Sequence, residues 1–389
     1  MTHEEVLQEM WTCQDCGKCT AACPVARVGL GYSPRRFIQR TVRKDLDAVL
    51  NDRALFACLA CDRCGPVCKS GISMANVVMK LRAIAFERGI PGQAAHAGML
   101  QTLMRLMAKS DLPQRRFAWL DPTVKVASQG DVLYFVGCAP YFDPLFRHLG
   151  TRPLRTARNA IRLLNLAGIE PVLLPDERCC GHDLLWQGDV ENFKRLAERN
   201  LEQVRASGVE AVVFSCPEGL RTFKLDYPRY FGTRGFEVLH ITEFLERQGI
   251  PRPEYTDAVV TFHDPCRLGR HLGVYDAPRS LLEAVPGLEF AEMPHNRVSA
   301  TCCGGTCWME CGAAVKALQA QRLSEAARTG ARFLVTACPK CDIHFGCAVA
   351  GSEYDGPVIS NIVDLMASAF GVDEPAQAVA AEKGDSTSA

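Results

Sequence analysis

The sequence predicts an α/β fold class: a helical, cysteine-rich module followed by two duplicated Rossmann-like α/β domains. Three observations carry this. Eight of the 20 cysteines fall in two identically spaced runs within the first 68 residues. A stretch without cysteine follows, from Cys68 to Cys138. From Asp131 onward one order of elements occurs twice: an apolar run ending in cysteine, a Cys-Cys-Gly turn, a helix and a second apolar run ending in Cys-Pro.

Composition narrows the class of function. The chain has 389 residues, with Lys+Arg 44 balancing Asp+Glu 44. That neutrality argues against nucleic acid as a partner, because phosphate binding shows itself as a basic excess. The opening Met1-Thr2-His3-Glu4-Glu5 has no basic stretch before an apolar run, so it does not read as a secretory signal. No apolar stretch reaches the roughly 18 residues that a membrane span needs. The expected location is cytoplasmic, with any membrane association made through a partner. Thiols stay reduced in that compartment, so 20 of them point to metal ligation rather than to disulfides.

Residues 1–90 form the first expected unit. Cys13, Cys16, Cys19 and Cys23 follow C-x2-C-x2-C-x3-C, with Pro24 next; Cys58, Cys61, Cys64 and Cys68 repeat it, with Lys69 in place of proline. In this pattern the fourth cysteine ligates the other cluster of a pair. One cubane 4Fe-4S cluster is therefore expected on Cys13, Cys16, Cys19 and Cys68, and a second on Cys58, Cys61, Cys64 and Cys23. Zinc also takes C-x2-C pairs, but across a longer spacer. Ser33 and Pro34 read as the N-cap and first turn of a helix continuing to Leu50. Arg35, Arg36, Arg40, Arg43 and Lys44 give it a basic face, either solvated or a docking patch. Met74 to Arg88 reads as another helix, with Val77, Val78, Leu81, Ile84 and Ala85 at helical spacing.

Residues 91–130, with Pro91-Gly92 and an amphipathic stretch from Gly98 to Lys109, read as a linker. The repeat then gives one domain over 131–250 and another over 251–370, with a polar tail at 371–389 expected to be disordered. In the first, strands end at Cys138 and at Cys216-Pro217, Glu170 to Leu174 is a strand, and Thr156 to Ala167 and Val190 to Ser207 are helices. In the second, strands end at Cys266 and at Cys338-Pro339, and Ala313 to Thr329 is a helix. Alternating strands and helices imply parallel sheets, which gather ligands where their strands end. The cysteine spacing is C-x40-C-C-x35-C in the first half and C-x35-C-C-x34-C-x2-C in the second. Gly219 stands where the second half has Cys341.

This combination resembles the heterodisulfide reductase iron–sulfur family, in particular the D-type subunit that fuses a two-cluster ferredoxin module to duplicated CCG domains. The first module is also similar to the helical ferredoxin domain of fumarate reductase iron–sulfur subunits. The resemblance covers residues 10 to 365 and implies a non-cubane 4Fe-4S cluster on Cys266, Cys302, Cys303, Cys338 and Cys341. The adjacent Cys302-Cys303 pair can turn both thiolates into one site because Gly304 and Gly305 relax the backbone. Gly219 breaks the first motif, which leaves Cys138, Cys179, Cys180 and Cys216 for a cubane, a zinc ion or nothing.

Several residues carry two readings. Cys307 and Cys311, placed at an expected helix start, are either donors around the cluster or small apolar residues; Cys347 has no assigned task. His263 either donates to a cluster sulfur or is a satisfied structural histidine, and His182 shares that ambiguity. Lys340 either offsets cluster charge or sits at an exposed turn. No Gly-x-Gly-x-x-Gly run follows a strand, so flavin and nicotinamide are expected on partners. The expected function is an electron-conducting subunit of a hetero-oligomeric complex, working between a flavin-containing subunit and an acceptor. The alternative is catalysis, the reduction of a disulfide at the non-cubane cluster by Cys266, Cys302, Cys303, Cys338 and Cys341.

Overall fold

The computed structural model describes residues 3–373 apart from 30, 31, 44, 250–252, 255 and 306. Residues 374–389, most of the expected tail, lie outside the described residues. The N-terminal module is built of short helices around one long one, Met74–Glu87. Its all-round burial follows from sequence: Val77, Val78, Leu81, Ile84 and Ala85 are buried, and so are Lys80 and Arg82. A helix apolar on most sides is a core helix. Ser73 caps it by accepting from the Asn76 N–H (3.3 Å), and Ser33 caps Pro34–Val42 by accepting from the Arg36 N–H (3.3 Å). The expected helix to Leu50 is broken, ending at Val42 and restarting as Leu46–Leu50. A continuous apolar stripe would need apolar residues at 44 and 45, and the chain has Lys44 and Asp45 there. The basic face is partly neutralised, since Arg35 pairs with Asp15 and Arg40 with Asp52.

Two parallel sheets follow. Strands β1 (Val132–Phe135), β2 (Ala211–Phe214) and β3 (Glu237–His240) lie in the order β1-β2-β3. Strands β4 (Ala258–His263), β5 (Leu288–Phe290), β6 (Phe333–Thr336) and β7 (Val358–Asn361) lie in the order β5-β4-β6-β7. The expected strand Glu170 to Leu174 contributes only Val172, which bridges to Leu133 and Ala127. Pro171 and Pro175 flank this short segment, and proline removes donors that a ladder needs. Val172 thereby holds beside β1 the place that β5 holds beside β4. The Val190–Ser207 helix coincides with its expected span. Helices Pro153–Leu166 and Ala313–Ala327 fall within a few residues of theirs.

The two halves pack reciprocally. The Pro153–Leu166 helix of the first packs on Ile362–Ala369 of the second, and Asp276–Glu283 of the second packs on Ile241–Gln248 of the first. Each half thus places its first long helix against the other's last, the arrangement of a pseudo-two-fold pair. The ferredoxin-like module docks on this body at backbone contact. Gly188 has φ +111, and a Cβ there would lie 2.2 Å from the Arg82 carbonyl oxygen.

Candidate metal centre

In the N-terminal module the eight cysteines line two cavities. Cys13, Cys16, Cys19 and Cys68 line one; Cys23, Cys58 and Cys61 line the other; Cys64 borders both. The fourth cysteine of each run thus faces the other run's cavity, the crossed grouping that the spacing predicts. Burial pushes the Cys23 thiol up to about 12. Cys61 goes the other way, down to about 5, through a hydrogen bond from Cys302 and the nearby Arg270 and Arg267 guanidiniums. That contact joins the module to the second α/β half.

In the second half five thiols meet at the carboxyl ends of β4 and β6. Cys302 contacts Cys266 and Cys303 as well as Cys61. The Cys341 and Cys303 sulfurs are 3.3 Å apart, and Cys338 contacts Cys341. The turn that aims them needs glycine. Gly304 has φ +83, and a Cβ there would lie 2.9 Å from Val315 Cγ1. Hydrogen bonds from Cys302 hold both Cys266 and Cys303 below the ordinary thiol range, aided at Cys266 by Arg267 and Arg270. Five convergent thiols, two of them with their pKa lowered by neighbouring donors, are a donor set that fits an iron–sulfur cluster.

His263 resolves toward this site. Arg322 Nε donates to His263 Nδ1 (3.1 Å). A guanidinium has only donors, so Nδ1 accepts and the ring proton sits on Nε2. The same imidazole hydrogen-bonds Cys303, and Nε2 is the atom left to do so. His344, on the helix Pro339–Ala350, flanks Cys303 from the Gly305 side, where a Cβ would lie 3.4 Å from its Nε2 and 3.5 Å from the Cys303 sulfur.

The first half gathers its thiols differently. Cys138 and Cys179 sulfurs are 3.2 Å apart, Cys179 contacts Cys180, and the half-buried Cys216 lies near Cys180. Gly219 occupies the helical position that Cys341 holds in the other half. A Cβ on Gly219 would meet the Phe214 ring at 3.1 Å. Phe214 packs in turn against Phe135 and Phe223, with ring centroids 5.3 and 4.9 Å away. Cys179 and Cys180 are held well above the thiol range by their neighbouring thiols, and Cys216 by burial, with Cys338 and Glu218 adding to it.

A buried charged cluster lies between the halves. Lys340 donates to Asp183 Oδ1 (2.6 Å) and lies 2.5 Å from Glu218 Oε2. It is therefore not the residue of an exposed turn, since it is 3% exposed. His182 Nδ1 faces Asp183 Oδ1 at 3.1 Å, and Arg267 Nε donates to His182 Nε2 (3.0 Å). Cys307 is buried within 4.8 Å of His182 and Asp183 ligand atoms. The expected helix start at Cys307 is absent. Cys307 and Trp308 adopt left-handed φ values of 55° and 58°, and the helix begins at Ala313. Cys311 lies two residues before it in irregular chain, and Cys347 accepts from Lys316 Nζ (3.1 Å). The residues that sequence reasoning missed are Arg267, Arg270, His271, Arg322, Asp183 and Glu218. Their one sequence signal was the cationic run Arg267-Leu268-Gly269-Arg270-His271 directly after Cys266.

Residues 132–224 and 260–346 match the cysteine-rich CCG domain, and residues 9–72 match a 4Fe-4S dicluster domain. The chain is 34% identical over 371 residues to the D-type subunit of the dihydromethanophenazine:CoB–CoM heterodisulfide reductase of Methanosarcina acetivorans, covering 86% of this chain and 88% of that one. It is 26% identical to a subunit of the fumarate reductase (CoM/CoB) of Methanothermobacter marburgensis, across 93% of this chain and 72% of the other. In fold it resembles a hypothetical protein from Helicobacter pylori, with a TM-score of 0.53 at 11% identity, covering 95% of this chain and 72% of that one.

Proposed function

We propose a function for this chain, which belongs to the family of D-type heterodisulfide reductase subunits and is an iron–sulfur subunit of that oxidoreductase type. It passes electrons between a flavoprotein partner and an acceptor, through two cubane clusters and one non-cubane cluster. Cys13, Cys16, Cys19 and Cys68 hold the first cubane; Cys58, Cys61, Cys64 and Cys23 hold the second; Cys266, Cys302, Cys303, Cys338 and Cys341 hold the non-cubane cluster. Such clusters supply one-electron redox chemistry, tuned by burial and by hydrogen bonds to sulfur.

The observation that supports this reading above all is the Cys61–Cys302 contact. It puts a ligand of the second cubane against a ligand of the five-thiol site, so the ligand sets form one continuous series. Cys16 is exposed at the outer end, with Trp11 62% exposed in the same segment. An electron-transfer partner reaches the chain most directly there. Among the described residues no helix is long and apolar enough to cross a membrane. The chain on this reading works in the cytoplasm, and a partner supplies any membrane contact. The residues 1–90, 91–130, 131–250 and 251–370 act as module, linker and two half-domains.

Within the five-thiol site the chain's own residues have distinct tasks. Gly304 lets the Cys302-Cys303 turn form, His263 donates a proton to the Cys303 sulfur in a hydrogen bond, and Arg322 fixes which ring nitrogen carries that proton. Phe214 and Gly219 leave the first half without a fifth ligand. The test is composition together with spectroscopy of anaerobically purified protein. Three clusters give about twelve irons per chain. A value near eight, with no signal beyond the ferredoxin pair, would remove the non-cubane assignment. The complete five-thiol site supports a second reading, disulfide reduction there; candidate disulfides mixed with reduced protein would then elicit a new paramagnetic species, and silence across thiols would leave the relay.

A further inference from the structure

The segment that follows Cys266 has no role in holding metal, yet it grips the loop carrying Cys61. Arg270 Nε donates to the Cys61 carbonyl (2.6 Å), and its Nη1 donates to the Ala300 carbonyl (2.8 Å). One guanidinium therefore ties together the two loops whose thiols touch, since Ala300 lies two residues before Cys302. Arg267 Nη1 donates to the Ala60 carbonyl, and His271 Nε2 lies 3.0 Å from the same oxygen. Arg221 Nε donates to His271 Nδ1 (2.9 Å) and holds the ring so that Nε2 faces the Ala60 carbonyl and Arg267 Nη1. Three side chains of one segment thus converge on two consecutive carbonyls.

The gripped loop is strained. Ala60 has φ 48° and Asp62 has φ 55°, left-handed values on either side of Cys61. Neither residue is glycine, and such conformations persist only where the surroundings over-determine them. Here the surroundings are the Arg267, Arg270 and His271 donors, together with Arg82, which donates to the Cys58 carbonyl (2.7 Å). Left-handed backbone at residues 60 and 62 turns the carbonyls toward the arginines and Cys61 toward Cys302. A loop free of the clamp would relax to ordinary φ values and draw that thiol away.

We propose that Arg270 is a positioning residue for electron transfer, holding Cys61 against Cys302 and so setting the rate at which the ferredoxin module exchanges electrons with the five-thiol centre. This rests on the cluster assignment above. The step is one electron: the centre on Cys23, Cys58, Cys61 and Cys64 is oxidised, the centre on Cys266, Cys302, Cys303, Cys338 and Cys341 is reduced, and no thiol bond or proton moves. Arg267 and His271 act with Arg270, but Arg270 alone spans both loops.

The experiment uses the full-length, anaerobically purified holoprotein, with wild type and Arg270→Gln compared. Iron content and the separate electron paramagnetic resonance signals are measured first. Dithionite then serves as electron donor, with freeze-quench sampling of each signal. Arg270→Gln is expected to keep wild-type iron and both cubane signals, to weaken the magnetic coupling between cubane and non-cubane centres, and to slow transfer by about tenfold, equivalent to about 1.4 kcal/mol in the barrier. A merely structural role would not change coupling at constant iron content. Transfer at the wild-type rate with unchanged coupling overturns the proposal. If Arg270→Gln does not assemble its irons, Arg270→Lys replaces it, since an ammonium lacks the rigid fork that spans two loops; the same slowing supports the clamp and a wild-type rate overturns it. Absence of the non-cubane signal from the wild type would instead refute the cluster assignment.

Discussion

Gly219→Cys restores the fifth cysteine of the first half, and the structure argues that restoration alone fails. Gly219 lies on the Pro217–Arg221 helix, so the backbone accepts a side chain. The obstacle is space. The new Cβ would sit 3.1 and 3.4 Å from two carbons of the Phe214 ring, and that ring is fully buried with Phe135 and Phe223 behind it. Overpacking of this kind costs about 1–3 kcal/mol. Charge opposes the change as well. The first site faces Asp183 and Glu218, whereas Arg267 and Arg270 stand by the second. Gly219→Cys is therefore expected to lower the denaturation midpoint while leaving iron and sulfide per chain unchanged. Gly219→Cys combined with Phe214→Thr, which copies Thr336 at the matching position of β6, clears the space but leaves a cavity where the ring packed, and should lower the midpoint further. Iron and sulfide determination beside chemical denaturation reads both effects. A gain of about four irons from Gly219→Cys alone would refute the reasoning, because it would show that the ring is no barrier and that only the cysteine was missing.

The remaining predictions address other parts of the chain. Cys341→Ser should abolish the non-cubane signal and spare both cubane signals; retention of the former would show that the five ligands are wrongly assigned. His263→Phe removes the imidazole donor from Cys303 and should lower that centre's potential by about 60 mV, the one-electron equivalent of about 1.4 kcal/mol, with Arg322→Leu shifting it the same way; an unmoved redox titration would show that the hydrogen bond is absent. His240 is buried and held down to about 4 by desolvation. The unfolded chain therefore binds its proton first, and stability is lost as pH falls from about 6.5 through 4. His240→Asn copies Asn361, which caps the following helix in the other half by accepting from the Val363 N–H (3.1 Å). It should flatten that acid limb in thermal melts, and an unchanged pH profile would sink the assignment. Gly188→Ala would place a methyl 2.2 Å from the Arg82 carbonyl oxygen at positive φ and should loosen the module from the α/β body, seen as faster proteolysis between residues 90 and 130.

Much of this fold is periodic and therefore legible. Cysteine spacing separates the two groups of thiols that line the two cavities of the N-terminal module, and the apolar runs before Cys138, Cys216, Cys266 and Cys338 are buried parallel strands. The strands missed, β3, β5 and β7, lie at sheet edges and give no continuous apolar run: β3 offers only Val238-Leu239 between Glu237 and His240, β7 only Val358-Ile359 before Ser360 and Asn361, and Leu288–Phe290 is one apolar-acidic-apolar triplet. The site was legible as far as its sulfurs. What the sequence concealed is every partner supplied by a distant segment. Arg322 reaches His263 across 59 positions and Arg270 reaches Cys61 across 209. Neither reach leaves a local pattern, and only the fold makes these residues neighbours. Cys307 shows the opposite failure. Its spacing to Cys311 suggested a helix, but Gln101 donates to the Trp308 carbonyl (3.0 Å) and the Ala95 N–H to the same oxygen (2.6 Å), which secures a left-handed turn that local propensity would not choose.

The divergence of the two halves is correlated, and the correlation explains its direction. Cys341, Lys340, Gly305 and Thr336 in the second half correspond to Gly219, Glu218, His182 and Phe214 in the first. A lysine buried at 340 needs a compensating charge, because an isolated buried ion costs several kcal/mol. Glu218 stands at its symmetry-related position and faces it at 2.5 Å. A second lysine there would set two cations against each other on the pseudo-two-fold axis. His182, where Gly305 stands opposite, gives Arg267 an acceptor and so steadies the arginine that holds the Ala60 carbonyl. The first half thus carries, beside the position where it lacks a fifth cysteine, a counter-charge and an acceptor that serve the second. Gly219 and Phe214 account for the first half's missing fifth ligand, while their neighbours in the same motifs, Glu218 and His182, hold residues of the second half in place.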